Sequence, residues 1–201
     1  MTARGEFNHN SGRLFIGFCL LVWGLSNPAA VKQVGDAIAS SGEDFAKAMK
    51  FTEKWEGGFS DHASDVGGRT MKGVTQSTFN SYLSSKGQGS RDVATMTESE
   101  RLEIYKRDYW QAGGCDRKPW PLSLVCFDSV VNFGVGGGKS FFAEAPLPTD
   151  ARQAALEVVK RRKNYRYQRV TENPGQRVFL HGWLNRDNDL EQRLSNGDRP
   201  K

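Results

Sequence analysis

Trp55-Glu56-Gly57-Gly58-Phe59, then Gly67-Gly68-Arg69-Thr70-Met71-Lys72-Gly73-Val74-Thr75, is the stretch on which the fold of this chain turns. Upstream of it, Phe45, Met49, Thr52 and Trp55 recur at three- to four-residue steps among Asp44, Lys47, Lys50, Glu53 and Lys54. That is an amphipathic helix with one apolar face, opened by Ser41 or Glu43 and stopped by Gly57-Gly58. Glu56 then falls in the last turn, where the negative end of the helix dipole disfavours a charge. An uncharged carboxyl is what a general acid must be, although surface glutamates at helix ends are common. Asp65 follows nine residues later, and the glycine-rich residues 59–75 predict a small hairpin or irregular loop rather than a helix. The Gly67-Gly68 turn lets Asp65 stand opposite Glu56 across a cleft. Two carboxyls about a cleft are the equipment of glycoside hydrolysis. Thr70 or Thr75 can fix a water there, and Thr75 can equally cap the next helix.

Downstream the pattern is helical. Phe79, Tyr82 and Leu83 mark one inner face, and Thr97-Glu98-Ser99-Glu100 reads as a capping box. The helix behind that box carries Leu102, Ile104, Tyr105, Tyr109 and Trp110 and ends at Gly113-Gly114. Beyond the rigid bend Pro119-Trp120-Pro121, a strongly apolar helix runs from Leu122 to Phe133. Its Asp128 and Asn132 share a face, so they must be satisfied by partners or open onto a cleft. Gly134, Gly136, Gly137 and Gly138 are expected to close it as a flexible loop, and without a following Gly-Lys-Ser/Thr they do not make a phosphate loop. Thr149 is expected to cap a long helix whose stripe Lys160-Arg161-Arg162-Lys163, Arg166 and Arg169 is interleaved with Tyr165 and Tyr167. The plainest reading of that stripe is a solvated face, with nucleic acid, membrane or wall polymer as other partners. A last helix carries Val178, Phe179, Leu180, Trp183 and Leu184.

The composition sets bounds. A hydrophobic fraction of 37% and five tryptophans in 201 residues suit a packed globule. A net charge of +5 suits a polyanionic partner without choosing among nucleic acid, anionic lipid and wall polymer, and is also ordinary for solubility. The three cysteines and three histidines have no zinc-type spacing, so neither metal nor cofactor is expected.

At the other end, Arg4 and Arg13 precede an apolar run from Leu14 to Leu25, and Ser26-Asn27-Pro28-Ala29-Ala30 follows. This is the order of a secretory signal, and the run is shorter than the ~20 residues of a stable membrane span. Two readings stand: a signal peptide cleaved near Ala29 or Ala30, or a signal-anchor that holds the chain to the inner membrane through residues 14–31 and then releases it. A buried amino-terminal helix is the plain alternative. Residues 32–42, rich in Ala, Ser and Gly, read as a mobile spacer or a weak helix.

The motif Glu56-Gly57-Gly58-Phe59, then Asp65-x-Gly67-Gly68-x-Thr70, then Gly73-Val74-Thr75, resembles glycoside hydrolase family 108, phage and bacterial N-acetylmuramidases with a lysozyme-like fold. The Glu/Asp/Thr spacing is also similar to that of phage-type lysozymes. Downstream, Phe127-Asp128-x-x-Val131-Asn132-x-Gly134 and Phe179-Leu180-x-Gly182-Trp183-Leu184-Asn185-Arg186 resemble the predicted peptidoglycan-binding region paired with that domain. The chain departs from the family at Val66, where proline is usual, and at Phe59, where tyrosine is frequent. The resemblance implies Glu56 as acid, Asp65 as second carboxylate, Thr70 as water-positioning hydroxyl, and Thr75, Asp128, Asn132 and Trp183 in substrate contact. The weakly hydrophobic segment before the domain resembles the signal-anchor-release segments of some phage endolysins, and that resemblance implies pairing of Cys115 with Cys126 after export, with Cys19 free or exchanging.

The expectation is therefore a mainly α, lysozyme-like fold with a small β-hairpin or irregular lobe beside the active-site cleft. Residues 1–31 are the signal or anchor, 32–42 the spacer, 43–133 the catalytic domain and 134–201 a helical, peptidoglycan-binding region packed on it. The expected activity is a muramidase acting on peptidoglycan glycan strands, as a phage or prophage endolysin exported to the periplasm or cell wall. No nucleic-acid partner is expected. The rival is a non-catalytic peptidoglycan-binding or secretion-assisting protein.

Overall fold

The computed structural model describes residues 28–56, 59–60 and 69–197. The apolar run 14–25, Cys19, Gly57-Gly58, Asp65 and the Gly67-Gly68 turn lie outside the described residues. The chain divides into two units, Met1–Glu43 and Asp44–Lys201. Helix α1, Pro28–Glu53, crosses that boundary, so residues 32–42 are helical. Proline suits the first helical position, where no N–H is needed and φ is already set. Among the described residues no helix is long and apolar enough to cross a membrane.

In the second unit α1 buries Phe45, Ala48, Met49, Phe51 and Thr52, the spacing of one helical face. The rings of Phe45, Trp110 and Phe127 meet edge to face at 5.6–5.7 Å and bind α1 to the core. The helix ends at Glu53. One further turn carries Glu56, whose N–H bonds back to Thr52 O at 3.2 Å and Glu53 O at 3.3 Å.

A three-stranded antiparallel sheet follows: β1 Phe59–Ser60, β2 Thr70–Met71 and β3 Val74–Thr75, in that order. Phe59 pairs with Met71 and Thr70 with Thr75. Lys72 and Gly73 join β2 to β3 with φ of 45° and 78°, the doubly left-handed corner that fits a two-residue hairpin. Helix α2, Gln76–Ser85, begins with Thr75 as its cap and buries Phe79, Tyr82 and Leu83. Helix α3, Glu98–Ile104, starts from the Thr97/Glu100 capping box. It runs on as a π-helical segment, Tyr105–Gln111, that buries Tyr105 and Trp110.

Cys115 and Cys126 form a disulfide that ties the end of this segment to helix α4, Leu122–Ala143. Leu124, Val125, Cys126, Phe127 and Val130 have no exposed surface, so α4 is the central helix. The glycines do not form a flexible loop. Gly134 alone makes a sharp corner (φ 74°, ψ 163°) and the helix resumes at once. A Cβ on Gly138 would lie 2.5 Å from Val130 Cα, so the bare glycine lets the two arms of α4 close.

Helix α5, Ala151–Glu172, is capped by Asp150 rather than Thr149. Its basic stripe is not a solvated face: Arg161, Arg162 and Arg166 are buried. Helix α6, Arg177–Ser195, packs alongside and buries Arg186, Asp187, Leu190 and Leu194. The unit is thus mainly α, with the small sheet beside the turn that carries Glu56.

Candidate active site

Glu56 sits where α1 gives way to the sheet. Its side chain is 19% exposed, and its Oε1 accepts from both Nη1 and Nη2 of Arg186, each at 3.1 Å. Its partner is a guanidinium from a helix 130 residues away. Oε2 points to the hairpin corner. A Cβ on Gly73 would stand 2.7 Å from it and overlap the Tyr105 hydroxyl. That hydroxyl donates to Lys72 O at 3.0 Å, pinning the corner to the π segment. Burial, and then the charge of Glu56, push the Tyr105 phenol well above its ordinary range. Tyr109 is raised by burial, then by Asp108 and Glu56. Both phenols therefore stay protonated at neutral pH, uncharged hydroxyls that can donate or accept a hydrogen bond.

Thr70 and Thr75 face each other in the β2–β3 register. The Thr75 hydroxyl accepts from Thr78 N at 3.2 Å and lies 2.9 and 3.0 Å from the hydroxyls of Ser77 and Thr78. Of its two open readings, the structure displays the capping one. Asp65 lies outside the described residues.

Of the two readings open for Asp128, the structure displays satisfaction by partners rather than opening onto a cleft, because it has no exposed surface. Its carboxylate accepts from Arg186 Nη2 at 2.7 Å, lies 2.8 Å from Arg162 Nη2, and accepts from Thr52 Oγ1 at 3.3 Å. Burial alone would raise its pKa. The charges of Arg162 and Arg186 outweigh burial and hold it below the usual carboxylate range. Arg186 is shifted upward, since Asp128 and Glu56 outweigh the opposing effect of its burial. Arg162 also lies 2.6 Å from Asp187, which accepts from Arg166 Nε at 2.5 Å. Arg166 in turn donates to Asn132 Oδ1 at 2.8 Å. Three carboxylates and three guanidiniums thus alternate from Glu56 through the core.

Asn132 and Trp183 lie at the far end of that chain. They share a pocket of about 380 Å³ with Phe133, Tyr165, Arg166 and Arg169. The structure therefore brings Glu56 together with the hairpin, and sets Asn132 and Trp183 in a second place. Sequence reasoning missed Arg186, Tyr105 and Gly73 as neighbours of Glu56. One signal was there: Asp128/Asn132 and Arg162/Arg166 are polar pairs at the same four-residue spacing on two helices, with Asp128 acidic and both arginines basic. Among the described residues no cluster of His, Cys, Asp and Glu could hold a metal ion.

No curated protein matches the chain. The solved structure of Brucella abortus SagA aligns with a TM-score of 0.59 at 22% identity, over 78% of this chain and 97% of that one. That likeness shows a common fold. The family model for Glycosyl hydrolase 108 matches residues 49–134, the segment that holds Glu56, the hairpin and the π segment. That match places residues 49–134 of the chain in the Glycosyl hydrolase 108 family and supports a lysozyme-like peptidoglycan hydrolase.

Proposed function

We propose that this protein is an N-acetylmuramidase that cleaves the β-1,4 bond between N-acetylmuramic acid and N-acetylglucosamine, with Glu56 as general acid. The observation that carries this reading is the partly exposed Glu56 at a helix end, against a small hairpin, inside the matched segment. In the proposed reaction Glu56 gives its proton to the glycosidic oxygen as the C–O bond breaks, and that bond's electron pair stays with the leaving sugar. A water adds to the anomeric carbon. Asp65 takes its proton and Thr70 orients it. This is an inverting route, so the new reducing end carries the opposite anomeric configuration. Proton magnetic resonance of the fresh product reads that configuration directly.

The biological setting proposed is host lysis by a phage or prophage endolysin, acting in the periplasm on glycan strands. The apolar run Leu14–Leu25 and the Cys115–Cys126 bridge support export, since disulfides persist in oxidising compartments. Transient hold on the inner membrane through residues 14–31 is part of the same proposal.

Glu56→Gln keeps the shape and the Arg186 contact but removes the proton. It is expected to cut turnover by at least ~10²-fold, the usual scale for a general acid, and to leave no clearing on a peptidoglycan zymogram. Its circular dichroism should match wild type. Clearing at the wild-type rate by a folded Glu56→Gln protein sinks the assignment.

A further inference from the structure

We infer that Arg186 is a positioning residue for Glu56, fixing which carboxyl oxygen carries the transferable proton. The inference rests on the reading of Glu56 as the general acid. Arg186 has five N–H donors in a planar fork. Its Nε and Nη2 edge seats on Asp128, at 3.0 and 2.7 Å to Oδ1. Its Nη1 and Nη2 end faces Glu56 Oε1. The side chain is 7% exposed, so substrate does not meet it. Its work is done through Glu56.

Oε1 already accepts two N–H groups. A proton placed there would displace one of them, so the proton belongs on Oε2. That oxygen faces the bare backbone of Gly73, beside Tyr105, where a bulkier residue would overlap it. The acid is thereby held in one orientation before substrate arrives, which is where much of the advantage of a fixed catalytic group comes from. The same helix grips the turn a second time. Asp189, three residues past Arg186, accepts from Lys54 Nζ at 2.8 Å and Trp55 Nε1 at 3.1 Å. Helix α6 therefore sets both the position of the Glu56 turn and the rotation of its carboxyl.

Asp128 makes the arrangement rigid. It is fully buried and is itself held by Arg162 and Thr52, so the fork cannot swing. Planar two-point contact is something a lysine cannot reproduce, because its ammonium is a single point charge.

The test uses the full chain and soluble, uncrosslinked peptidoglycan glycan strands. Arg186→Lys keeps the buried charge. The double variant Asp128→Asn with Arg186→Gln removes the ion pair as a unit and leaves two amides in its place. At least one of them should fold, by circular dichroism and thermal melting. In whichever folds, kcat should fall at least tenfold while KM changes less than threefold. Arg186→Lys, if folded, should retain more activity than the double variant. Glu56→Gln is run beside them. If Glu56→Gln stays active, the acid assignment fails and this inference falls with it. If Glu56→Gln is inactive and a folded Arg186 variant turns over within threefold of wild type, the positioning role alone is overturned. If neither Arg186 variant folds, Arg186 is a structural residue and the inference is equally overturned.

Discussion

Gly73 shows how much one missing side chain decides. Its φ of +78° is a conformation that L-residues rarely adopt, and the space where a Cβ would go is filled by Tyr105 and Glu56. Gly73→Ala is expected to cost about 1–3 kcal/mol of stability through local strain and to lower kcat by pushing Oε2 aside. Thermal melting and turnover on glycan strands measure the two effects. A variant that melts and turns over like wild type would show the corner to be roomier than described. At this scale the sequence placed Glu56 at a helix end, because helix periodicity is a local signal. It was silent on Arg186, because no local rule pairs residues 130 positions apart. The glycine was read as part of a loose turn, yet its use is a close approach that only the folded chain reveals.

Among the elements, α4 departs furthest from expectation. Four glycines in five positions promised a loop, but only Gly134 turns the chain. Gly138 is needed for packing instead, since a Cβ there would strike Val130 backbone, which cannot swing away as a side chain can. Gly138→Ala should destabilise by about 1–3 kcal/mol, as overfilled cores do. In a melt that is a fall of several degrees, at roughly 2–4 °C per kcal/mol for this size. An unchanged midpoint would mean that the two arms of α4 part easily. The apolar face of α4 was legible, as were Thr97 and Glu100 of the capping box, because each is written within a few residues. The π segment was not. Its extra residue per turn shifts Tyr105 and Tyr109 relative to a regular helix, and no spacing of apolar residues announces it.

For the whole molecule the decisive feature is the alternation of buried charges. The basic stripe of α5 looked like solvent-facing charge because lysines and arginines are seldom fully buried unless paired. Its partners, Asp128 and Asp187, lie on two other helices. Asp128 titrates below its ordinary range, so its contribution to stability is present above the unfolded value of about 3.9 and is lost as pH falls through the folded value. Asp128→Asn should therefore lower the melting temperature at pH 7, since breaking a buried pair costs about 3–5 kcal/mol. The gap to wild type should narrow over the acid range, as pH is lowered from about 4. Melts across that range measure it, and a gap constant with pH would place the stabilisation elsewhere.

The contact between Glu56 and Arg186 also constrains how this protein can be recombined. Segment 49–134, matched by one family model, looks like a self-contained cassette. Its acid is nevertheless gripped by residues 186 and 189, beyond the end of that cassette. A chimera that swaps the carboxyl-terminal helices must carry the Arg186 fork and the Asp189 grip with it. The unit of exchange is thus the whole of Asp44–Lys201, and a tail can be grafted after it but not in place of it.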